Sequence, residues 1–176
     1  VNNGGNVIWQ VWKNNGVSPD MLAKVTTSQG GSINFDYIKT TGIDNTGADD
    51  LSDLPFNTWV VSKMTTTNGL SNEQGTNDIT TYSYKNGFYK WQDREFRGFG
   101  EVNVVEPNGA KKTYLFNQDD GRAGTTQSVT TKNSSDALFA KTEQTWSNSQ
   151  ANGVYTINLT SEKNYTYDGD SANPKV

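Results

Sequence analysis

Neither cysteine nor histidine occurs anywhere in the 176 residues. Without cysteine there is no disulfide framework, no thiol nucleophile and no thiolate-ligated metal. Without histidine the chain lacks the commonest general base, the commonest transition-metal ligand and the ordinary switch near neutral pH, so most triad chemistry is excluded. No apolar run approaches the roughly 18 residues of a membrane helix, and no basic-then-apolar leader stands at Val1. Helical periodicity is nearly absent. The 15 Lys and Arg are outnumbered by 19 Asp and Glu, giving a net charge of -4, and no window gathers the basic residues into a stripe. A nucleic-acid partner is therefore not expected. The chain starts without Met and reads as a segment of something larger.

Only 32% of the residues are hydrophobic, yet 11% are aromatic, so apolar area is concentrated in Trp, Tyr and Phe. That aromatic content argues against disorder despite a mean hydropathy of -0.78. The length suits one domain with a core of its own. Apolar and polar residues alternate through long stretches, the period of strands with one buried face. Ile33, Phe35 and Tyr37 share a face, as do Trp59 and Val61, Val102 and Val104, and the row Tyr155, Ile157, Leu159 that continues to Tyr165 and Tyr167. Asn15-Gly16, Gly30-Gly31, Asn68-Gly69, Asn86-Gly87, Pro107-Asn108-Gly109 and Asn152-Gly153 punctuate these stretches as hairpin candidates. Strands joined by such short turns are antiparallel neighbours, which predicts an all-β meander of about eight to ten strands in a curved sheet. Residues 41–53 and 71–78 read as longer loops, and neither separates two domains.

The densest patch of aromatics, charge and glycine runs from Tyr82 to Gly100. Asn86-Gly87 predicts a two-residue turn with Tyr84 facing Tyr89 across it. Asp93 and Glu95 could serve as the acid and base of a glycoside hydrolase. Two apart on a strand they share a face with Arg97, and structural ion pairing is the simpler account. Asp44 to Asp50 and Asn117 to Gly121 cluster oxygen ligands, but neither matches the twelve-residue calcium loop, so they read as polar turns, as does Asp168-Gly169-Asp170. No metal or other cofactor is expected. Trp9, Trp12, Trp59, Trp91 and Trp146 could include a sugar-stacking platform, and Trp9 and Trp12 fall on opposite faces if residues 7–12 form one strand. Packing is the plainer reading. Asn133, Asn158 and Asn164 begin glycosylation sequons, the last two inside a predicted strand.

Tyr82-Ser83-Tyr84, Gly87-Phe88-Tyr89 and Arg94-Glu95-Phe96-Arg97-Gly98-Phe99-Gly100 together resemble a Y-x-Y-x-x-G-x-Y-D-x-x-x-R-E-F-R-G-F signature. It belongs to the B components of bacterial insecticidal toxin complexes, relatives of the Rhs (YD-repeat) toxins. Pro19-Asp20-Met21-Leu22 with Gly30-Gly31 and Tyr37, then Leu54-Pro55-Phe56 with Trp59-Val60-Val61, then Phe116-Asn117-Gln118 with Gly121, are similar to further ordered motifs of that family. The matches span residues 19–124. Asn57 stands where a second proline is usual, and Lys90 where an aspartate is.

The resemblance implies an all-β, non-catalytic segment of a secreted toxin, following a β-propeller and beginning the wall of a hollow shell. It implies as partners the rest of the parent polypeptide and its toxic effector region. It gives Tyr82, Tyr84, Gly87, Tyr89, Arg94, Glu95, Phe96, Arg97, Gly98 and Phe99 a structural role. Unpaired sheet edges predict self-association of the excised chain. The competing expectation is a carbohydrate-binding or adhesin-type β-domain.

Overall fold

The computed structural model describes residues 2–3, 6–7, 20–47, 51–70, 75–167 and 174–175. The expectations at Trp9, Trp12, Asn15-Gly16, Pro19, Asp49-Asp50 and Asp168 to Asp170 lie outside these residues. Two short strands, β1 (Asn2–Asn3) and β2 (Asn6–Val7), pair with each other. The other nine form one sheet: β3 (Lys24–Thr26), β4 (Ser32–Lys39), β5 (Trp59–Thr67), β6 (Asn77–Lys90), β7 (Glu95–Val105), β8 (Lys111–Phe116), β9 (Thr126–Lys132), β10 (Leu138–Ala151) and β11 (Val154–Thr166). Each is hydrogen-bonded antiparallel to its predecessor, so the order across the sheet is the order in sequence. The predicted meander is observed. A single 3-10 turn, Thr40–Gly42, is the helical content of the described residues.

Cross-strand register sorts side chains onto two unlike faces. Tyr84, Val102, Tyr114 and Val129 stand opposite one another on β6 to β9, and Ile33, Phe35 and Tyr37 meet Thr66, Met64 and Val61 on β4 and β5. On the reverse face the same strands align Ser83, Asn103, Thr113 and Thr130. There Thr113 Oγ1 donates to Asn103 Oδ1 at 2.6 Å, and Asn103 Nδ2 donates to Glu101 Oε1 at 2.6 Å. A period of two with β-branched residues on both faces suits strands whose two sides meet different surroundings.

The expectation of an internal core is corrected. Among the described residues only Leu54 and Tyr167 are buried apolar side chains, while Leu22, Ile79, Phe139, Val154 and Leu159 are exposed. Among the described residues no second layer lies against this sheet to close a core, so its aromatic row stays half-buried.

The turns divide cleanly. Asn152 (φ 52) and Gly153 (φ 80) make the two-residue turn between Ala151 and Val154, the left-handed pair that a type I′ hairpin requires. Gly30-Gly31 and Pro107-Asn108-Gly109 also close hairpins, with Thr27 N–H to Gly31 O and Glu106 N–H to Ala110 O both at 2.8 Å. Asn68-Gly69 opens a longer connection, and Asn77 and Asp78 belong to β6 rather than to that loop. Asn133 to Ala137 closes β9 onto β10.

Asn86-Gly87 is not a turn. β6 runs through it to Lys90, and the reversal comes at 91–94, where Arg94 (φ 54) donates its N–H to Trp91 O at 3.3 Å. Tyr89 therefore lies on the same strand as Tyr84 and pairs with Phe96.

Candidate functional site

The signature patch forms a doubly irregular hairpin. Asn86 takes φ 55 within β6, and Gly98 takes φ 79 within β7, where the register slips so that β7 carries one extra residue between Phe99 and Phe96. Each irregularity has a partner elsewhere in the sequence. Asp44 O accepts Asn86 N–H at 2.9 Å, Asn45 Oδ1 accepts Gly87 N–H at 3.1 Å, and Asp53 O accepts Tyr89 N–H at 3.0 Å. The 40–58 loop thus stands in for β5, whose ladder with β6 ends at Lys63 and Thr81. Asn45 is itself buried and donates to Thr40 O at 2.8 Å and Ile43 O at 3.1 Å, so its amide is fully committed. A Cβ at Gly87 would lie 2.5 Å from Asn45 Oδ1, which is why glycine is needed there. From the other side Gln118 Nε2 donates to Asn86 O at 2.8 Å and to Gly98 O at 2.9 Å, satisfying the carbonyls that the two irregularities expose.

Aromatic rings fill the end of this hairpin. Phe99 lies 4.9 Å from Tyr84 and 5.7 Å from Phe96, and Phe56 stands edge-on to both Tyr89 and Phe96 at 5.5 and 5.6 Å. Trp91 caps the row on Tyr89 at 5.3 Å. Edge-to-face pairs of this kind are worth about 0.5–1.5 kcal/mol beyond their buried area. Tyr84 Oη donates to Val61 O at 2.7 Å, and burial followed by the charge of Tyr82 pushes its hydroxyl pKa up. Tyr82 stands opposite Val104 in the regular part of the ladder.

Strand lengths create a recess beside this hairpin. β8 and β9 are 6 and 7 residues long, whereas β7 and β10 run on past them at the same end. The 117–125 loop occupies the notch between the two overshooting hairpins. A cleft of about 510 Å3 remains, lined by Lys90, Asp93, Glu95 and Arg97 on one side, Gly121 and Ala123 below, and Gln150, Gly153 and Tyr155 on the other.

Its charges are paired. Arg97, with a side chain only 6% exposed, reaches Asp93 Oδ2 at 2.8 Å, Asp120 Oδ1 at 3.3 Å and Asp119 O at 3.0 Å. Its Nε sits 2.7 Å from Glu95 Oε2, within ion-pairing distance but not aligned as a hydrogen bond. Lys90 bridges Asp120 and Asp93, the latter at 2.9 Å. The hydrogen bond from Lys90 holds the Asp120 carboxyl below the usual range, and hydrogen bonds to Asp120 and then Asp93 hold the Lys90 ammonium above its own. Arg122 clasps Asp119, and Asn148 Nδ2 donates to Asp120 O. General acid–base catalysis needs a group poised near the working pH; the shifts at Lys90 and Asp120 run away from neutrality. The two glycosidase candidates, Asp93 and Glu95, are instead partners of Arg97.

The signature residues lie in one hairpin, whose reversal falls at 91–94 and not at the expected Asn86-Gly87 turn. Arg94 forms the reversal, Glu95 and Arg97 pair, Phe96 and Phe99 pack, and Gly98 bends the strand. Asn45 and Asp120 were not singled out as members of this site. Their only local signal is membership in two Asn/Asp-rich stretches, and a hydrogen bond between positions 45 and 87 leaves no mark in local spacing. Gln118 belongs both to the F-x-Q motif and to the polar cluster Asn117 to Gly121. Among the described residues no group of three or more carboxylates is arranged to hold a metal.

Solved structures with the same fold include crystal structures of TcdB2–TccC3, one without its hypervariable C-terminal region. That one superimposes with a TM-score of 0.68 at 14% identity, covering 83% of this chain and 10% of the other. A second, TcdB2–TccC3–TEV, gives a TM-score of 0.67 at 15% identity, again over 83% and 10%. The Photorhabdus luminescens Tc holotoxin pore gives 0.63 at 15% identity over 80% and 10%. The chain thus spans about a tenth of the length of the structures it matches. No curated protein sequence matches it. Residues 5–120 match a family described as the insecticide toxin TcdB middle/N-terminal region, and with two thirds of its length so covered the chain belongs to that family.

Proposed function

We propose that this chain is a non-catalytic wall segment of a secreted Tc/Rhs-type toxin. It contributes a curved sheet to a β-shell that encloses the toxic effector region of the parent polypeptide or of its partner. The observation that carries this reading is that the described residues form a nine-stranded sheet with two unlike faces and almost no buried apolar side chain. A globular binding or catalytic domain of this size closes its own core; a wall leaves its faces to be covered by what lies inside and beside it. The committed charges of the cleft fit the same reading, since they fasten two hairpins across the short β8–β9 pair.

Protease protection tests it. In the parent toxin the effector region should resist added protease while the wall is intact, and it should be cut at the rate of the free effector once the wall is unfolded. Digestion of the effector at that free rate in the folded parent would sink the proposal.

A carbohydrate-binding reading has one observation on its side: Trp91, 67% exposed in the reversal between β6 and β7. Trp59 lies under the Lys39 ammonium at 5.0 Å, and Trp146 Nε1 donates to Thr126 O at 2.7 Å, which gives both packing roles. Saturable glycan binding abolished by Trp91→Ala would favour this second reading.

A further inference from the structure

At the far edge of the sheet, β10 is the one strand that pairs with β11 among the described residues. Near its end, Thr166 N–H donates to Lys175 O at 2.8 Å and Lys175 N–H donates to Thr166 O at 2.9 Å, an antiparallel pair. Both polar groups of the Thr166 backbone are thereby spent on Lys175, so the Thr166 pair with Ala140 of β10 is one that exchanges no hydrogen bonds. Backbone direction alternates along a strand. The N–H and C=O of Asn164 and Glu162 accordingly point to the same outer side, as far as the register slip near Thr160.

We propose that the polypeptide leaving Lys175 continues antiparallel along β11 as the next strand of the sheet, pairing first with Asn164 and then with Glu162. Three features choose this occupant over a second copy of the chain. The Lys175–Thr166 pair already fixes direction and register, so each further residue adds ladder bonds without a new loop to close. Every strand from β4 to β11 pairs with its predecessor in sequence, and short sequential connections are the rule in such sheets. Finally, Glu162 and Lys163 put charge of both signs on the edge, and the slip at Thr160 interrupts it, devices that discourage indiscriminate edge-to-edge pairing. The inference does not rest on the wall reading, because a binding module could carry the same strand.

Hydrogen exchange in the parent polypeptide tests it without any substitution. The outward amides of Glu162 and Asn164 should exchange about as slowly as the inward amides of Lys163 and Tyr165, where an uncovered edge would exchange about tenfold faster or more. Fast exchange confined to Glu162 and Asn164 would overturn the proposal, and so would protection that rises with protein concentration, which assigns the edge to a second copy.

Because these 176 residues contain no cysteine, disulfide formation can identify the covering segment. Lys163→Cys should cross-link to a cysteine placed three residues beyond Lys175, a directly opposed pair of suitable separation. It should not cross-link to one placed four beyond, which register turns to the other face. Equal cross-linking of both, or of neither in an edge that is protected, would show that some other segment covers β11.

Discussion

Two long hairpins of this sheet each contain an Asn-Gly dipeptide, and the two dipeptides do opposite things. Between β10 and β11, Asn152 and Gly153 both take positive φ and reverse the chain. Within β6, Asn86 takes positive φ, but the strand continues for three more residues to Lys90. The local chemistry of the two pairs is the same. What differs is the company: the 40–58 loop supplies acceptors to Asn86, Gly87 and Tyr89, Gln118 supplies donors to the carbonyls of Asn86 and Gly98, and Phe56 supplies an aromatic surface for Tyr89 and Phe96. Among the described residues the β10–β11 turn has no such partners, and it follows its intrinsic preference. Propensity decides where nothing distant competes.

Substitutions sharpen this contrast. Gly87→Ala should cost the most, about 2–4 kcal/mol, since its Cβ collides with the committed Asn45 amide and overpacking in a tight site is of that order. Urea unfolding of the parent polypeptide measures it, and a cost under about 1 kcal/mol would mean that the loop contact is slack. Arg97→Ala should follow at about 1–3 kcal/mol, less than for a fully buried ion pair because Asp93, Glu95 and Asp120 keep access to water.

Gly153→Ala should cost about 1–2 kcal/mol for left-handed backbone alone, since nothing lies within 4 Å of its Cβ position. Its effect on hydrogen exchange should stay within β10 and β11; loss of protection in β6 would break the idea that the two hairpins are independently specified.

The smallest effect is expected at Lys90→Gln, and its pH dependence carries the information. The Asp120 carboxyl is held low by Lys90, so its contribution is present above about pH 3.9, the unfolded value, and is lost as pH falls through the lower folded value. The Lys90 ammonium is held high, so its contribution is full below about pH 10.4 and is lost as pH rises through the folded value above that. The stability difference between wild type and Lys90→Gln should therefore be flat from about pH 5 to 9 and shrink toward both extremes. A difference that peaks near neutrality would show that a different group is titrating.

Much of this was legible in advance because it depends on short-range pattern. The two-residue alternation of Ile33-Phe35-Tyr37 and of Val102-Val104 predicted strands, and Gly30-Gly31, Asn108-Gly109 and Asn152-Gly153 predicted turns that exist. The pairing of Arg97 with Glu95 followed from spacing as well, whereas Asp93 reaches Arg97 from the 91–94 reversal and not from the strand. Asn45 and Asp120 were not legible as members of the site, because a single hydrogen bond to Gly87 or Lys90 across 42 or 30 residues constrains geometry without imposing a period.

The sequence by itself determined the strands, their antiparallel order and the absence of cysteine and histidine chemistry, since these follow from residue type and from contacts between chain neighbours. Tertiary structure alone decided that Asn86-Gly87 bends a strand instead of ending it, that the described residues bury almost no apolar side chain, and that Thr166 at one edge of the sheet pairs with Lys175. Each of these turns on a partner outside the local sequence or on what covers the sheet's faces, and backbone hydrogen bonds, being indifferent to side-chain identity, record neither in the pattern of residues.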